Sequence, residues 1–555
     1  DHIVQSDAKK QAEVMTKDFE VSQRYLNFPV KTGAPMRRVK LLVGKEVVRE
    51  FDVELAADGK PDFLAPADVS AFKGKKVTVE VTRPADAKLA ELVTASDAWP
   101  EADKLYQEKY RPQFHFTSRV GWLNDPNGLV YADGEWHLFY QHNPFGREWG
   151  NMHWGHATSK DLFRWKEEGV ALYPKKYGDW AFSGSAVVDK NNTSGWGTKE
   201  KPPLVLAYTS TGRGECVAYS TDGGKSWKEH DKNPVVKHAG RDPKLVWYEK
   251  GQHWVMAVYD EFEKKQWIAF YTSPDLKEWT FTSRIEGFYE CPDLFKMSIV
   301  GFQRTWWVLY AADGKYLVGD FDGKEFKPAF KDKKQLWYGN FYAAQTFDNA
   351  PMLPPVAPGR TPVRRDRVQV GWARGVTFPG TPFNQQMTVP VDLSLQRDDQ
   401  GELYLGAEPV AELATLRDGK SAFSVAKPLV VKKGEPETIA EKLDAFEVHL
   451  GVDVGKTAGF DLDLRGTKLT YDPVKKTLTC KGVTAPVPMP LPDHFILWVL
   501  VDRGSVEVFI GGGRVAMSVA ALADEKNTKL VLTPTGGDIT ISTASLFRLK
   551  SAWEK

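Results

Sequence analysis

The chain has 555 residues, 42% of them hydrophobic and 12% aromatic, enough for several domains each with its own packed core. Lys and Arg number 74 against 73 Asp and Glu, a formal charge of +1, so composition gives no basis for binding nucleic acid or an anionic membrane. No run of about 18 apolar residues is present to span a bilayer, and Cys216, Cys291 and Cys480 are too few and scattered for a disulfide framework or a CxxC zinc site.

Arg38 to Val43, Val47 to Val53 and Lys76 to Val81 alternate apolar and polar residues, with Gly-Lys and Asp-Gly pairs between them. That pattern predicts a small β-sandwich between about residues 20 and 82. From Pro84 to Tyr110 the chain becomes rich in Ala, Leu, Lys and Glu, as a linker with some helix would, and a boundary is expected near residue 105. The start Asp1-His2-Ile3 carries no basic-then-apolar leader, so the expectation is a mature chain, secreted or periplasmic, whose signal has been removed.

Trp122-Leu123-Asn124-Asp125-Pro126-Asn127-Gly128 sets an acid between an amide and a proline, ahead of the apolar run Leu129-Val130-Tyr131. Proline fixes φ and removes a donor, and Asn-Gly favours a tight turn, so Asp125 is expected at the mouth of a strand rather than within it. The design recurs at Arg241-Asp242-Pro243, ahead of Lys244-Leu245-Val246, and at Glu290-Cys291-Pro292-Asp293, ahead of Leu294-Phe295. One Asp-Pro pair is ordinary turn chemistry. Three acids at three strand mouths suggest a shared centre.

Self-similarity supplies the architecture. Ser159 to Trp165, Ser220 to Trp227 and Ser273 to Trp279 are versions of one Ser-x-Asp-turn-Trp hairpin, and Asp322 to Phe326 is a worn fourth copy. Each closes a unit; the units start near residues 122, 182, 241, 290 and 341, spacings of 60, 59, 49 and 51 that suit four-stranded propeller blades. Five blades are predicted. Because blades are radial, every first strand lines the central channel, and Asp125, Ser183, Asp242, Glu290 and Tyr342 should ring one pit.

Beyond about residue 400 the repeat stops. Leu403-Tyr404-Leu405 and Pro409 to Leu416 read as connecting chain, whereas Ala445 to Leu450, Phe460 to Leu464, Phe495 to Val501 and Ser505 to Phe509 alternate again. A second, larger β-sandwich is predicted there. The expected plan is all-β: an accessory sandwich with linker over 1–105, a five-bladed β-propeller over 106–400 and a C-terminal β-sandwich over 401–555.

Three carboxylates without a metal motif favour glycoside hydrolysis, in which one acid protonates the leaving oxygen and a second attacks or activates water. The third can hold substrate hydroxyls while positive charge builds on the sugar ring. Glu290, flanked by Tyr289, Cys291 and Pro292, is the expected proton donor because desolvation favours its neutral form. Asp125, beside Asn124 and Asn127, has donors to keep it ionised as a nucleophile. His137, His142, His153 and His156 lack HExxH spacing and read as packing residues, and no metal or cofactor is expected. Phe182-Ser183-Gly184-Ser185 is not a Gly-x-Ser-x-Gly elbow, so Ser183 suits a sugar contact.

These motifs, together with Trp149 to His156, Tyr342-Ala343-Ala344-Gln345, Val501-Asp502-Arg503 and Ser505 to Phe509, make residues 111 to 550 resemble glycoside hydrolase family 32, the β-fructosidases such as inulinases and levanases. The resemblance implies a retaining mechanism at the anomeric carbon of fructose, with Asp125 as nucleophile, Glu290 as acid/base and Asp242 as transition-state stabiliser. It also implies terminal-fructose contacts from Asn124, Gln141, Trp149, Phe182, Ser183, Arg241 and Trp372. His142 stands where relatives often carry Tyr, and Asn340 where an acid is common; both departures are expected to bear on the binding subsites. The N-terminal module resembles the extra sandwich of some bacterial members and is expected to give structural support.

The activity so implied is exo-acting hydrolysis of terminal β-D-fructofuranosyl residues of a fructan, levan or inulin, with sucrose as a smaller substrate. The expected partner is that carbohydrate, without nucleic acid or a membrane span. A fructosyltransferase using the same covalent intermediate and a catalytically silent fructan-binding protein are the rival readings.

Overall fold

The structure is a computed structural model that describes residues 14–82, 88–299, 302–353, 365–488 and 493–553. In the N-terminal strand Lys76–Thr82, Val77, Val79 and Val81 turn inward while their neighbours face out, the period-two pattern of a half-buried strand. It lies between Val14–Glu20 and Met36–Val43, with Glu46–Glu54 at the edge. A second sheet of Phe63–Asp68, Tyr25–Val30 and Thr94–Ser96 packs over a core that includes Phe28, Leu41 and Phe51. The expected linker therefore contributes to the sandwich: Thr94–Ser96 pairs with Tyr25, Leu26 and Asn27, and Leu89, Ala90 and Leu105 find cover in the same core. Pro84 to Ala87 lie outside the described residues.

Five antiparallel sheets follow as the blades of a propeller, the first strand of each innermost. Blade one is Gly121–Ala132, Glu135–Asn143, His153–Ser159 and Trp165–Leu172; blade two is Ala181–Val188, Leu204–Ser210, Gly214–Ser220 and Lys228–Glu229. Blade three is Gly240–Tyr248, His253–Phe262, Lys265–Ser273 and Thr280–Glu286; blade four is Asp293–Ser298, Thr305–Tyr310, Lys315–Phe321 and Phe326–Pro328. Blade five is Tyr342–Thr346, Arg367–Trp372, Val391–Arg397 and Leu403–Pro409. Leu403-Tyr404-Leu405, expected as connecting chain, is thus part of an outermost strand, paired with Leu395, Gln396 and Arg397.

The Asp of each hairpin repeat works as a turn acceptor. Asp161 takes the backbone N–H groups of Phe163 and Arg164, Asp222 those of Lys225 and Ser226, Asp275 those of Lys277 and Glu278, and Asp322 those of Lys324 and Glu325. Each such turn joins the third strand of its blade to the fourth.

Polar side chains lace the inner strands together across the axis. Buried Lys244 of blade three pairs with Asp293 of blade four at 3.1 Å and donates to the Thr346 carbonyl of blade five at 2.9 Å. Gln345 Nε2 donates to the Gly184 carbonyl at 2.8 Å, and Ser185 Oγ to the Pro243 carbonyl at 2.8 Å. The ring closes where Asp348 exchanges backbone hydrogen bonds with Leu129 and Tyr131. The channel is therefore filled beneath the end at which the inner strands begin.

A 3-10 turn at Ala411–Leu416 leads into the C-terminal sandwich. One sheet holds Phe446–Asp453, His494–Val501, Ser505–Ile510 and Val515–Ala520; the other holds Gly459–Leu464, Thr467–Asp472 and Leu530–Thr535. Trp337–Gly339, between blades four and five, adds a parallel strand to the first sheet and joins the two modules.

Candidate active site

Four of the five inner strands break register at the same level. The shifts fall between Leu123 and Pro126, Ala181 and Gly184, Arg241 and Lys244, and Tyr342 and Gln345. In blade four the corresponding residues, Glu290 and Cys291, precede the strand and both have positive φ. A bulge leaves a residue unpaired and re-aims its side chain; here the residues set free are Asp125, Ser183, Asp242 and Ala343. Asp125 accordingly lies within its strand, contrary to the expected place at its mouth, and the bulge does the presenting that a turn was expected to do.

The three carboxylates meet. Ser183 Oγ donates to Asp125 Oδ2 at 2.7 Å and Asn124 Nδ2 to Asp125 Oδ1 at 3.2 Å, with Asn124 itself held by Trp122 Nε1 at 2.9 Å. The Cys291 thiol faces two acids at once, 3.3 Å from Asp242 Oδ2 and 3.6 Å from Asp125 Oδ2. Its backbone N–H also donates to Asp242 Oδ2 at 3.1 Å. Arg241 reaches Glu290 Oε2 through Nη2 at 2.7 Å and Nε at 3.0 Å, and its Nε lies 3.8 Å from Asp242 Oδ2. Tyr342 donates to the other Glu290 oxygen at 2.5 Å, and Tyr289 accepts from Arg241 at 2.9 Å.

Burial beside like charge dominates the electrostatics. Loss of solvent, then the charges of Glu290 and Asp125, push the Asp242 carboxyl up to about 8. Burial also raises Asp125, opposed by the Ser183 hydrogen bond and reinforced by Glu290. Glu290 was expected to be the desolvated acid, yet its side chain is 18% exposed against 5% for Asp242, and both its oxygens are occupied by donors. Burial alone therefore singles out Asp242 rather than dividing the roles between Glu290 and Asp125.

The other expected contacts gather around this floor. Gln141 Nε2 donates to the Ala181 carbonyl at 2.9 Å, and the Asn127 amide, with its oxygen toward Gln141 and its nitrogen toward Ser183, ties the two together. Phe182 meets Trp149 edge to face at 6.0 Å, and Trp149, 54% exposed, forms a rim. Trp372 stands edge-on to Trp122 and Tyr342, at 6.1 and 6.3 Å. Thr209, Tyr289 and Arg374 were not expected. Thr209 Oγ1 accepts the Asp242 N–H at 2.8 Å, and Arg374 lies over the Tyr342 ring at 4.8 Å. Thr209 sits in an ordinary buried strand, so no local pattern marks it.

The four histidines are packing groups. His137 and His156 bond each other at 3.0 Å, His142 bonds the Trp122 carbonyl at 2.7 Å, and burial lowers His153 to about 3. His142 turns toward the N-terminal module and away from the floor, so its departure from the family pattern bears on that junction. Asn340 bridges the Arg374 carbonyl and the Ala520 N–H, each at 2.8 Å, and so meets the site through Arg374.

Residues 115–406 match the glycosyl hydrolases family 32 N-terminal domain, and residues 412–548 match the glycosyl hydrolases family 32 C terminal. Residues 11–114 match a domain of unknown function, DUF4980. A levanase of Bacillus subtilis (strain 168) is 36% identical over 519 residues, covering 83% of this chain and 74% of the relative. An extracellular exo-inulinase of Aspergillus niger is 31% identical over 540 residues, covering 81% and 96%. The crystal structure of exo-inulinase from Aspergillus awamori aligns with a TM-score of 0.72 at 28% identity, over 81% of this chain and 100% of that one. With both family modules matched in order and the fold shared, the chain belongs to glycosyl hydrolase family 32.

Proposed function

We propose that the protein is an exo-acting, retaining β-fructosidase that removes terminal non-reducing β-D-fructofuranosyl residues from levan or inulin, and from sucrose. The observation that carries this reading is the convergence of Asp125, Asp242 and Glu290 on one thiol and one guanidinium. The levanase and exo-inulinase relatives support a fructan as substrate, and the word extracellular in the latter's name supports a secreted or periplasmic location.

In this mechanism an Asp125 oxygen attacks the anomeric carbon, the bond to the leaving oxygen breaks, and Glu290 delivers its proton to that oxygen. Glu290 then takes a proton from water, the water oxygen attacks the same carbon, and Asp125 departs. Asp242 accepts hydrogen bonds from sugar hydroxyls, which tighten as the ring gains positive charge. Arg241 and Tyr342 aim Glu290. Tyr342 is held protonated by burial and by the adjacent Glu290, so its hydroxyl remains a donor. The filled axis below the floor supports exo action, because only a chain terminus fits a blind pit.

Chromatography of products from levan, inulin and sucrose tests the proposal: free fructose is expected from at least one fructan from the first time point. Oligosaccharide growth exceeding fructose release at high sucrose would identify a transferase instead. Asp125→Ala or Glu290→Gln should cut turnover by several powers of ten, roughly the effect of removing one member of a catalytic unit, with the thermal melt unchanged.

A further inference from the structure

A hollow of about 360 Å³ lies between the N-terminal sandwich and blade one, lined by neither Asp125, Asp242 nor Glu290. Its size falls within the roughly 300–1,000 Å³ of small-molecule sites. The junction around it is built rather than incidental. Phe145 of the propeller stacks on Phe51 of the sandwich at 3.6 Å, and Asn151 exchanges hydrogen bonds with the Asp52 backbone at 2.9 and 2.7 Å.

The wall combines oriented rings with planar polar groups. Trp99 carries the Arg119 guanidinium at 4.4 Å, and Tyr173 carries that of Arg49 at 3.7 Å. Most of its charges are already matched within the protein: Arg24 with Asp68 at 3.0 Å, Arg119 with Glu167 at 3.4 Å, and Lys166 with Glu168 at 2.9 Å. Two covered donors in the wall, Arg49 Nε and Trp99 Nε1, have no hydrogen-bond partner among the described residues. A covered donor left without a partner is unfavourable, so the wall holds hydrogen-bonding capacity that the protein itself does not use. A ligand suited to rings, spare donors and internally balanced charge is neutral and rich in oxygen.

We infer that this hollow is a second carbohydrate site, which takes a short neutral saccharide such as the end of a fructo-oligosaccharide. The choice of sugar rests on the proposed function; the existence of the site does not. Occupation joins the two modules across their interface. His142 lines the hollow while bonding the Trp122 carbonyl, two residues from Asn124, so the site backs onto the strand that carries Asp125.

Calorimetric titration of a fructo-oligosaccharide into the full-length Asp125→Ala protein is expected to show two sites per chain. Adding Trp99→Ala, or Arg49→Gln should that variant fold poorly, should reduce the stoichiometry to one. In the enzyme with Asp125 intact, the same wall substitutions should raise KM on a polymeric fructan several-fold and leave kcat on sucrose unchanged. One site in Asp125→Ala, two sites surviving both wall substitutions, or inorganic phosphate displacing the second saccharide would each overturn the inference. Hydrolysis of levan, inulin and sucrose is assayed separately, so a failed second site is distinguishable from a failed functional reading.

Discussion

Asp242 occupies the left-handed region at φ +69°, a conformation that costs a residue of this kind about 1–3 kcal/mol unless its surroundings impose it. The imposing groups form a buried chain. Thr209 accepts the Asp242 N–H and donates to Glu215 at 2.8 Å, Glu215 bonds His238 at 2.9 Å, and His238 bonds Asp260 at 3.0 Å. Thr209→Val keeps the shape but removes both bonds, so kcat should fall roughly tenfold or more, the scale of losing a buried hydrogen bond. Thr209→Ser should restore it, and steady-state kinetics decides; an unchanged kcat in the valine variant would show that Asp242 needs no such hold. The pH profile offers a second check. After burial, Glu290 is the group that most raises Asp242, and it also raises Asp125. In Glu290→Gln the acidic limb of the residual activity should therefore move to lower pH, and a limb that stays in place would leave burial alone in control. The three acids were legible because each precedes a proline at the start of an apolar run. Thr209 was not, since its role depends on a strand brought alongside from another blade.

Among the elements, the register breaks do the positioning. Gly184 sits where blade two bulges, and a Cβ there would lie 1.8 Å from the Ala207 carbonyl oxygen. Gly184→Ala should lower stability by roughly 1–3 kcal/mol, as overpacking does, and reduce turnover by displacing Ser183; a normal melt with normal activity would show that the bulge relaxes freely. The hairpin turns are a separate device. Fifth-blade Asp398 accepts the N–H groups of Gln400 and Glu402, the same service that Asp161, Asp222, Asp275 and Asp322 perform. It lacks the preceding Ser and the following aromatic residue, which is why the repeat faded there and the strand after it read as connecting chain.

For the molecule as a whole, His115 decides how propeller and C-terminal sandwich hold together. It is fully buried between Asp502 and Glu507, 2.8 Å from each, and Asp502 also accepts the N–H of Gln113 at 2.7 Å and of Phe114 at 3.0 Å. Burial opposes its charge, but the two acids prevail and raise it from 6.5 to about 9. A histidine raised on folding contributes its full stability below its unfolded value and loses it as pH climbs through the folded one. Urea unfolding should thus show a loss between about pH 6.5 and 9. In His115→Gln that loss should flatten, and stability near neutrality should drop by about 3–5 kcal/mol because two buried acids lose their counter-charge. An undiminished pH dependence in the variant would place the titration elsewhere.

Local pattern determined most of the strands, where the hairpins of the first four blades turn, how many blades there are and which three acids meet, because period-two burial and Asp turns act between neighbours along the chain. Tertiary structure decided the rest: that bulges rather than turns present Asp125 and Asp242, that Arg241 and Tyr342 grip Glu290, and that the expected linker completes the N-terminal sandwich. These depend on contacts between residues tens to hundreds of positions apart, and only the closed ring of blades with its attached sandwiches sets those distances.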